Sequence, residues 1–174
     1  TWNTEELLSH TRHDWLNYLQ LIKTNLALNR PERAKAIIEE ITAKSRSESQ
    51  LTQLKIPRIA VMLMTFNWGR HPYRLEYEVS RGERVLHDWE DELYEGLISL
   101  FDHMDEEADE SYDNHVLLTL HTGKENFQLT IAFKGFLHHP DKLNETGLLH
   151  KSFRVIEHYT SNEEWILTVI GGED

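Results

Sequence analysis

The chain contains no cysteine, which removes disulfides, thiolate nucleophiles and cysteine-based zinc sites in one step. Its eight glycines are scattered, apart from the pair Gly171–Gly172. It therefore lacks a glycine-rich loop that would bring backbone amides against a phosphate chain. No segment approaches the roughly 18 continuous apolar residues of a membrane helix. The opening stretch TWNTEELLSH has neither the basic start nor the apolar run of a signal peptide. Positive charge is also scarce, with 18 Lys and Arg against 30 Asp and Glu and a net charge of −12. Such a body repels nucleic-acid phosphates. The expectation is a cytoplasmic protein with no nucleic-acid partner and no membrane partner.

Hydrophobic residues make up 39% of 174 positions, enough for a core. The charge is uneven. Residues 1–55 hold 8 basic and 7 acidic side chains, a net of +1, whereas residues 56–174 hold 10 and 23, a net of −13. This asymmetry suggests two modules, 1–54 and 55–174, with separate tasks.

Residues 4 to about 28 read as one uninterrupted helix, with Thr4 as its N-cap and Glu5 and Glu6 in the first turn. Pro31 is suited to the first turn of a second helix. That helix places Ala34, Ile37, Ile38 and Ile41 on one face, and its later positions Ser45 and Glu48 suggest a less securely packed end. Two helices joined by a short turn make an antiparallel hairpin. A hairpin this small cannot cover its apolar faces alone, so a homodimer forming a four-helix bundle is expected. Pro57 then marks a break. A short buried helix ends at Gly69, Leu75, Tyr77 and Val79 alternate as a half-exposed strand, and Leu93, Leu97, Leu100, Phe101 and Met104 mark an amphipathic helix. HVLLTLHT and FQLTIAFKG flank a turn as a hairpin, and FRVIEHY and EWILTVI add two strands. The fold class is α+β, a helical hairpin followed by an α/β sandwich with helices on one sheet face.

Helix one carries an apolar stripe of Leu8, Trp15, Leu19, Ile22 and Leu26. His13 lies roughly 160° around the helix from that stripe, so packing does not explain it. Ser9, Asn17 and Gln20 surround it, and Leu16 points outward beside it. His10 and His13 are spaced to share a metal, but no local carboxylate or third histidine completes a ligand set. His138 and His139 read as a loop.

The segment HTRHDWLNYLQLIKTNL resembles the phosphorylatable histidine segment of two-component signalling proteins, in the form Arg-His-Asp-x-x-Asn-x-Leu-Gln. A neutral imidazole is a good nucleophile near pH 7. Asp14 is placed to bias the ring, Arg12 to offer a cation to phosphoryl oxygens, and Asn17 to hydrogen-bond along the helix face. The second module resembles the ATP-binding domain of histidine kinases in element order. However, Asp102 and Asp105 stand where such domains carry their Mg-ATP asparagine, and the glycine motifs are missing. The chain as a whole is similar to the histidine phosphotransferases of sporulation phosphorelays.

That resemblance implies a phosphotransferase that takes a phosphoryl group from the aspartyl phosphate of one response regulator onto His13. It then passes the group to the receiver domain of a second. No cofactor of its own is implied, since Mg²⁺ arrives in the partner receiver's site. Leu16, Gln20 and Lys23 become part of the surface that docks the receivers. The alternatives are an ATP-dependent sensor histidine kinase core and a non-enzymatic dimerisation module.

Overall fold

The computed structural model describes residues 2–80, 82–149 and 152–172. The chain divides between Arg46 and Ser47 into two compact units.

In the first unit, helix α1 spans Thr4–Ala27. Its N-cap is Asn3 rather than Thr4, because Asn3 closes a reciprocal pair. Its side chain accepts from the Glu6 amide at 2.9 Å, and Glu6 accepts from the Asn3 amide at 2.9 Å. That capping box satisfies two otherwise orphaned donors, which Thr4 with Leu7 at its third position could not do. After Leu28 the chain turns through Asn29 at φ 54°, a left-handed conformation that asparagine tolerates. Pro31 then opens helix α2, Pro31–Gln53. Lys44 of α2 reaches the hydroxyl of Tyr18 on α1 at 3.5 Å. Each residue lies well back from the turn on its own helix, so the helices run antiparallel. Asn25 and Ala34 are buried, and Tyr18, Ile22, Ile37 and Ile41 are half-buried along this seam, whereas Ile38 faces solvent.

The second unit begins with the last turns of α2. These are the best-packed part of that helix, contrary to the expectation from Ser45 and Glu48. Leu51 and the following Leu54 are fully buried, and Ser47 Oγ accepts from the Val79 amide at 3.4 Å. Helix α3, Pro57–Thr65, starts on its proline and buries Ile59, Ala60 and Leu63. A short 3-10 turn leads to strand β1, Arg74–Ser80. Helix α4, Glu90–Glu107, buries all five residues of the expected stripe, Leu93, Leu97, Leu100, Phe101 and Met104. Strands β2 (His115–Thr122), β3 (Asn126–Lys134), β4 (Arg154–Thr160) and β5 (Glu164–Gly172) complete a five-stranded sheet. Its order is β1-β2-β3-β5-β4.

Strands β1 and β2 are parallel, joined through α4, and the remaining pairs are antiparallel. Period-2 alternation puts Val116, Leu118, Phe127, Leu129, Ile131, Phe133, Trp165 and Leu167 on the helix-covered face. The α+β architecture is thus the one expected, with helices on one face. Strand β4 is an exposed edge with a bulge between Val155 and Glu157, a device that discourages further pairing.

Two close approaches fix the connections around α4. Gly96 has no Cβ, and one there would stand 2.7 Å from the Leu148 side chain. This lets Thr146 donate its hydroxyl to the Gly96 carbonyl at 2.8 Å. Buried Asn114 bridges three backbone segments. Its amide donates to the carbonyls of Pro72 (2.9 Å) and Asp109 (2.7 Å), and its oxygen accepts from the Phe136 amide (2.9 Å). Gly135, at φ 149°, lies so close that a Cβ would meet that oxygen at 1.9 Å.

Candidate functional site

Helix α1 presents three separate sides. One carries the seam with α2. The second carries Leu8, Trp15, Leu19 and Leu26, which remain 50% to 63% exposed in the single chain. The third carries His13. Its side chain is 73% exposed, so nothing in the fold depends on it. Asn17, one turn on, approaches His13 Nδ1 with its amide nitrogen at 3.3 Å. The Asp14 carboxylate lies 3.9 Å from the same nitrogen. Both partners crowd Nδ1, which leaves Nε2 directed outward.

The two partners act oppositely on the ring. A donating amide stabilises the tautomer with its proton on Nε2, and a carboxylate stabilises the one with its proton on Nδ1. Only the second leaves a nucleophilic lone pair on Nε2. Only the Asn17 amide is within hydrogen-bond distance of Nδ1 here, and Asp14 stands 3.9 Å away, so the reactive tautomer requires Asn17 to give way to Asp14 at that nitrogen. Arg12, Leu16, Asn17, Gln20 and Lys23 are exposed on α1, and Asp14 is half-buried. His10 is half-buried, with its ring edge-on to Trp2 at 4.8 Å, because the capped start of the helix folds the preceding tryptophan over it.

The second unit holds ionic clusters that sequence spacing did not disclose. Glu107 is 3% exposed and accepts from the backbone amide and Nδ1 of His139 at 3.0 and 2.8 Å, and from Lys142 Nζ. His138 and His139 are thus anchored, His139 to Glu107 and His138 to Asp109 at 3.4 Å. Burial alone would raise the Glu107 pKa, but the hydrogen bonds and charges of Lys142 and His139 outweigh it and hold the carboxyl below its ordinary range. A depressed folded pKa gives stability that is complete above the unfolded carboxylate value and is lost as pH falls through the folded one. Glu107→Gln is expected to cost about 2 kcal/mol at pH 7. Urea titrations should show that gap narrowing as the pH falls below the ordinary carboxylate range. Asp105 accepts from His71 at 2.9 Å.

Among the described residues there is no group of three or more His, Asp or Glu placed to hold a metal, and no helix long and apolar enough to cross a membrane.

A helical segment bearing an exposed histidine, followed by an α+β sheet domain, defines a class that comparison with known proteins makes specific. Residues 2–54 match the family model "sensor kinase SpoOB-type, alpha-helical domain", and residues 55–171 match "sporulation initiation phospho-transferase B, C-terminal". The chain belongs to the sporulation initiation phosphotransferase B family. Sporulation initiation phosphotransferase B of Bacillus subtilis (strain 168) is 38% identical over 125 residues, which cover 72% of this chain and 65% of that one. The match thus spans slightly under two thirds of the length of this curated relative. Among solved structures, the histidine kinase AdeS of Acinetobacter baumannii gives a TM-score of 0.44 at 12% identity, covering 92% of this chain and 97% of that one. The blue-light activated histidine kinase EL346 of Erythrobacter litoralis gives 0.47 at 10% identity, covering 92% and 59%.

Proposed function

We propose that this protein is a phosphorelay phosphotransferase. It moves a phosphoryl group from a response-regulator aspartyl phosphate, through phosphohistidine at His13, to the receiver domain of a second regulator. The observation that carries this reading is the His13 imidazole itself, exposed, unused by the fold, and flanked at Nδ1 by Asp14 and Asn17 so that Nε2 faces outward. The phosphotransferase name of the Bacillus subtilis relative supports it.

In the first transfer the Nε2 lone pair attacks phosphorus as the bond from phosphorus to the donor's carboxylate oxygen breaks. The donor regains its carboxylate, and the ring reacts as the tautomer with its proton on Nδ1, which needs the Asn17 amide to move off that nitrogen, toward which Asp14 is placed. The second transfer reverses these events toward the acceptor's carboxylate. Arg12 supplies positive charge to the phosphoryl oxygens in flight, and Leu16, Gln20 and Lys23 contribute docking surface. Mg²⁺ belongs to the receiver, where it offsets phosphoryl charge; one carboxylate and one amide beside His13 do not make a cation site of their own. The protein is expected to take up label from a phosphorylated receiver and none from ATP alone. Labelling by ATP would overturn the reading in favour of a kinase, and no labelling under either condition would favour a non-enzymatic module.

The exposed stripe of Leu8, Trp15, Leu19 and Leu26 supports a homodimer, in which a second copy covers this side of α1 to complete a four-helix bundle. Trp15→Glu is expected to give a monomer at micromolar concentration, because burying an unpaired carboxylate in that seam costs several kcal/mol. Sedimentation velocity of both proteins is the check, and a monomeric parent protein would refute the dimer.

A further inference from the structure

His71, outside the helical hairpin, has its imidazole held by both oxygens of a carboxylate. Its Nδ1 lies 2.9 and 3.0 Å from the two carboxylate oxygens of Asp105. An ionised carboxylate only accepts, so Nδ1 carries the proton and the lone pair is on Nε2. The ring is further fixed by stacking on Phe66, with centroids 3.9 Å apart and planes 13° from parallel.

The residue beside Nε2 is glycine, Gly69. A Cβ there would stand 3.2 Å from Nε2. The backbone of Gly69, φ −79° and ψ 173°, is open to any residue, so conformation does not require glycine. His71 and Gly69 line a solvent-open cavity of about 320 Å³ that Arg74 and Tyr112 also line. The His71 side chain is only 22% exposed, so the cavity suits a small molecule rather than a protein surface.

We infer that His71 is a second phosphoryl acceptor, modified at Nε2 by a small acyl phosphate entering this cavity. The Nε2 lone pair attacks phosphorus and forms the N–P bond as the bond from phosphorus to the acyl oxygen breaks. The acyl group leaves as a carboxylate. The Nδ1 proton remains in its hydrogen bond to Asp105, whose negative charge balances the ring as it becomes positive. Arg74, which lines the cavity together with Asp113, is the cation on that lining for phosphoryl oxygens. This inference stands apart from the role of His13.

The test uses the whole chain carrying His13→Ala, so the outcome does not depend on the relay. Acetyl phosphate is the probe, and intact mass and fragment mapping under non-acidic conditions are the readouts. His71 is expected to gain one phosphoryl group at least tenfold faster than the average of the remaining histidines. That preference should vanish in urea-unfolded protein. In folded Gly69→Ala, verified by circular dichroism, phosphorylation of His71 should slow by at least tenfold. Equal labelling across the histidines, a His71 rate unchanged by urea, or no phosphoryl group on His71 would overturn it. Because the other histidines serve as internal references, a destabilised Gly69→Ala does not remove the test.

Discussion

His13→Ala is expected to abolish phosphoryl uptake from a phosphorylated receiver while leaving the fold intact. The side chain is largely exposed, and it hydrogen-bonds to the exposed Asn17 on the same helix. Exposed substitutions of this kind change stability by no more than about 0.5 kcal/mol, and alanine is the better helix former. Asn17→Ala and Arg12→Ala should slow transfer without ending it, because they orient or stabilise the group in flight rather than bond to it. Radiolabel transfer with a melting curve for each variant distinguishes loss of chemistry from loss of fold. A His13→Ala protein that accepts phosphoryl normally, or fails only because it melts, would remove His13 from the mechanism. His10→Ala should retain uptake but costs some stability of its own, since His10 packs against Trp2.

Asn114→Ala carries the largest expected loss of stability, about 3 kcal/mol. It strands the carbonyls of Pro72 and Asp109 and the amide of Phe136 inside the fold, and each unpaired buried group costs about 1–3 kcal/mol less whatever relaxation recovers. Gly135→Ala should be comparably damaging, because its Cβ would land on the Asn114 side chain at a φ hostile to alanine. Urea midpoints of the two single variants and the double variant provide the measurement. If Asn114→Ala unfolds within 1 kcal/mol of the parent, an order-of-magnitude bound from the same desolvation costs, the bridging amide is not a stabilising hub.

Where periodicity is strong, the fold was legible. Five apolar residues of α4 at helical spacing all became core, and alternation identified β2 and β3 to within a residue. Glu107 continues the register of Leu93, Leu97, Leu100 and Met104, so a buried acid was readable from helical spacing. Its partners His139 and Lys142 come from a segment more than 30 residues further on, and no local rule brings them there. The same separation concealed His71 and Asp105. His13 was legible for the opposite reason. Its site is built from Asp14 and Asn17, within one helical turn, and helical geometry alone puts them together. The misplaced N-cap was a local competition between two adjacent candidates, decided by which had a glutamate at the third helical position.

The burial of Leu51 and Leu54 in the sheet-bearing unit bears on how the family's two modules can be exchanged. A recombination junction at 54/55 would follow the family boundary but remove both leucines from the receiving domain, forfeiting about 2 kcal/mol for each. The Ser47 contact with the edge of β1 would go with them. A junction at 46/47 keeps the last turns of α2 with the sheet. Heredity can shuffle the helical hairpin as a cassette only if the cut falls inside a helix, so the two modules are expected to travel together.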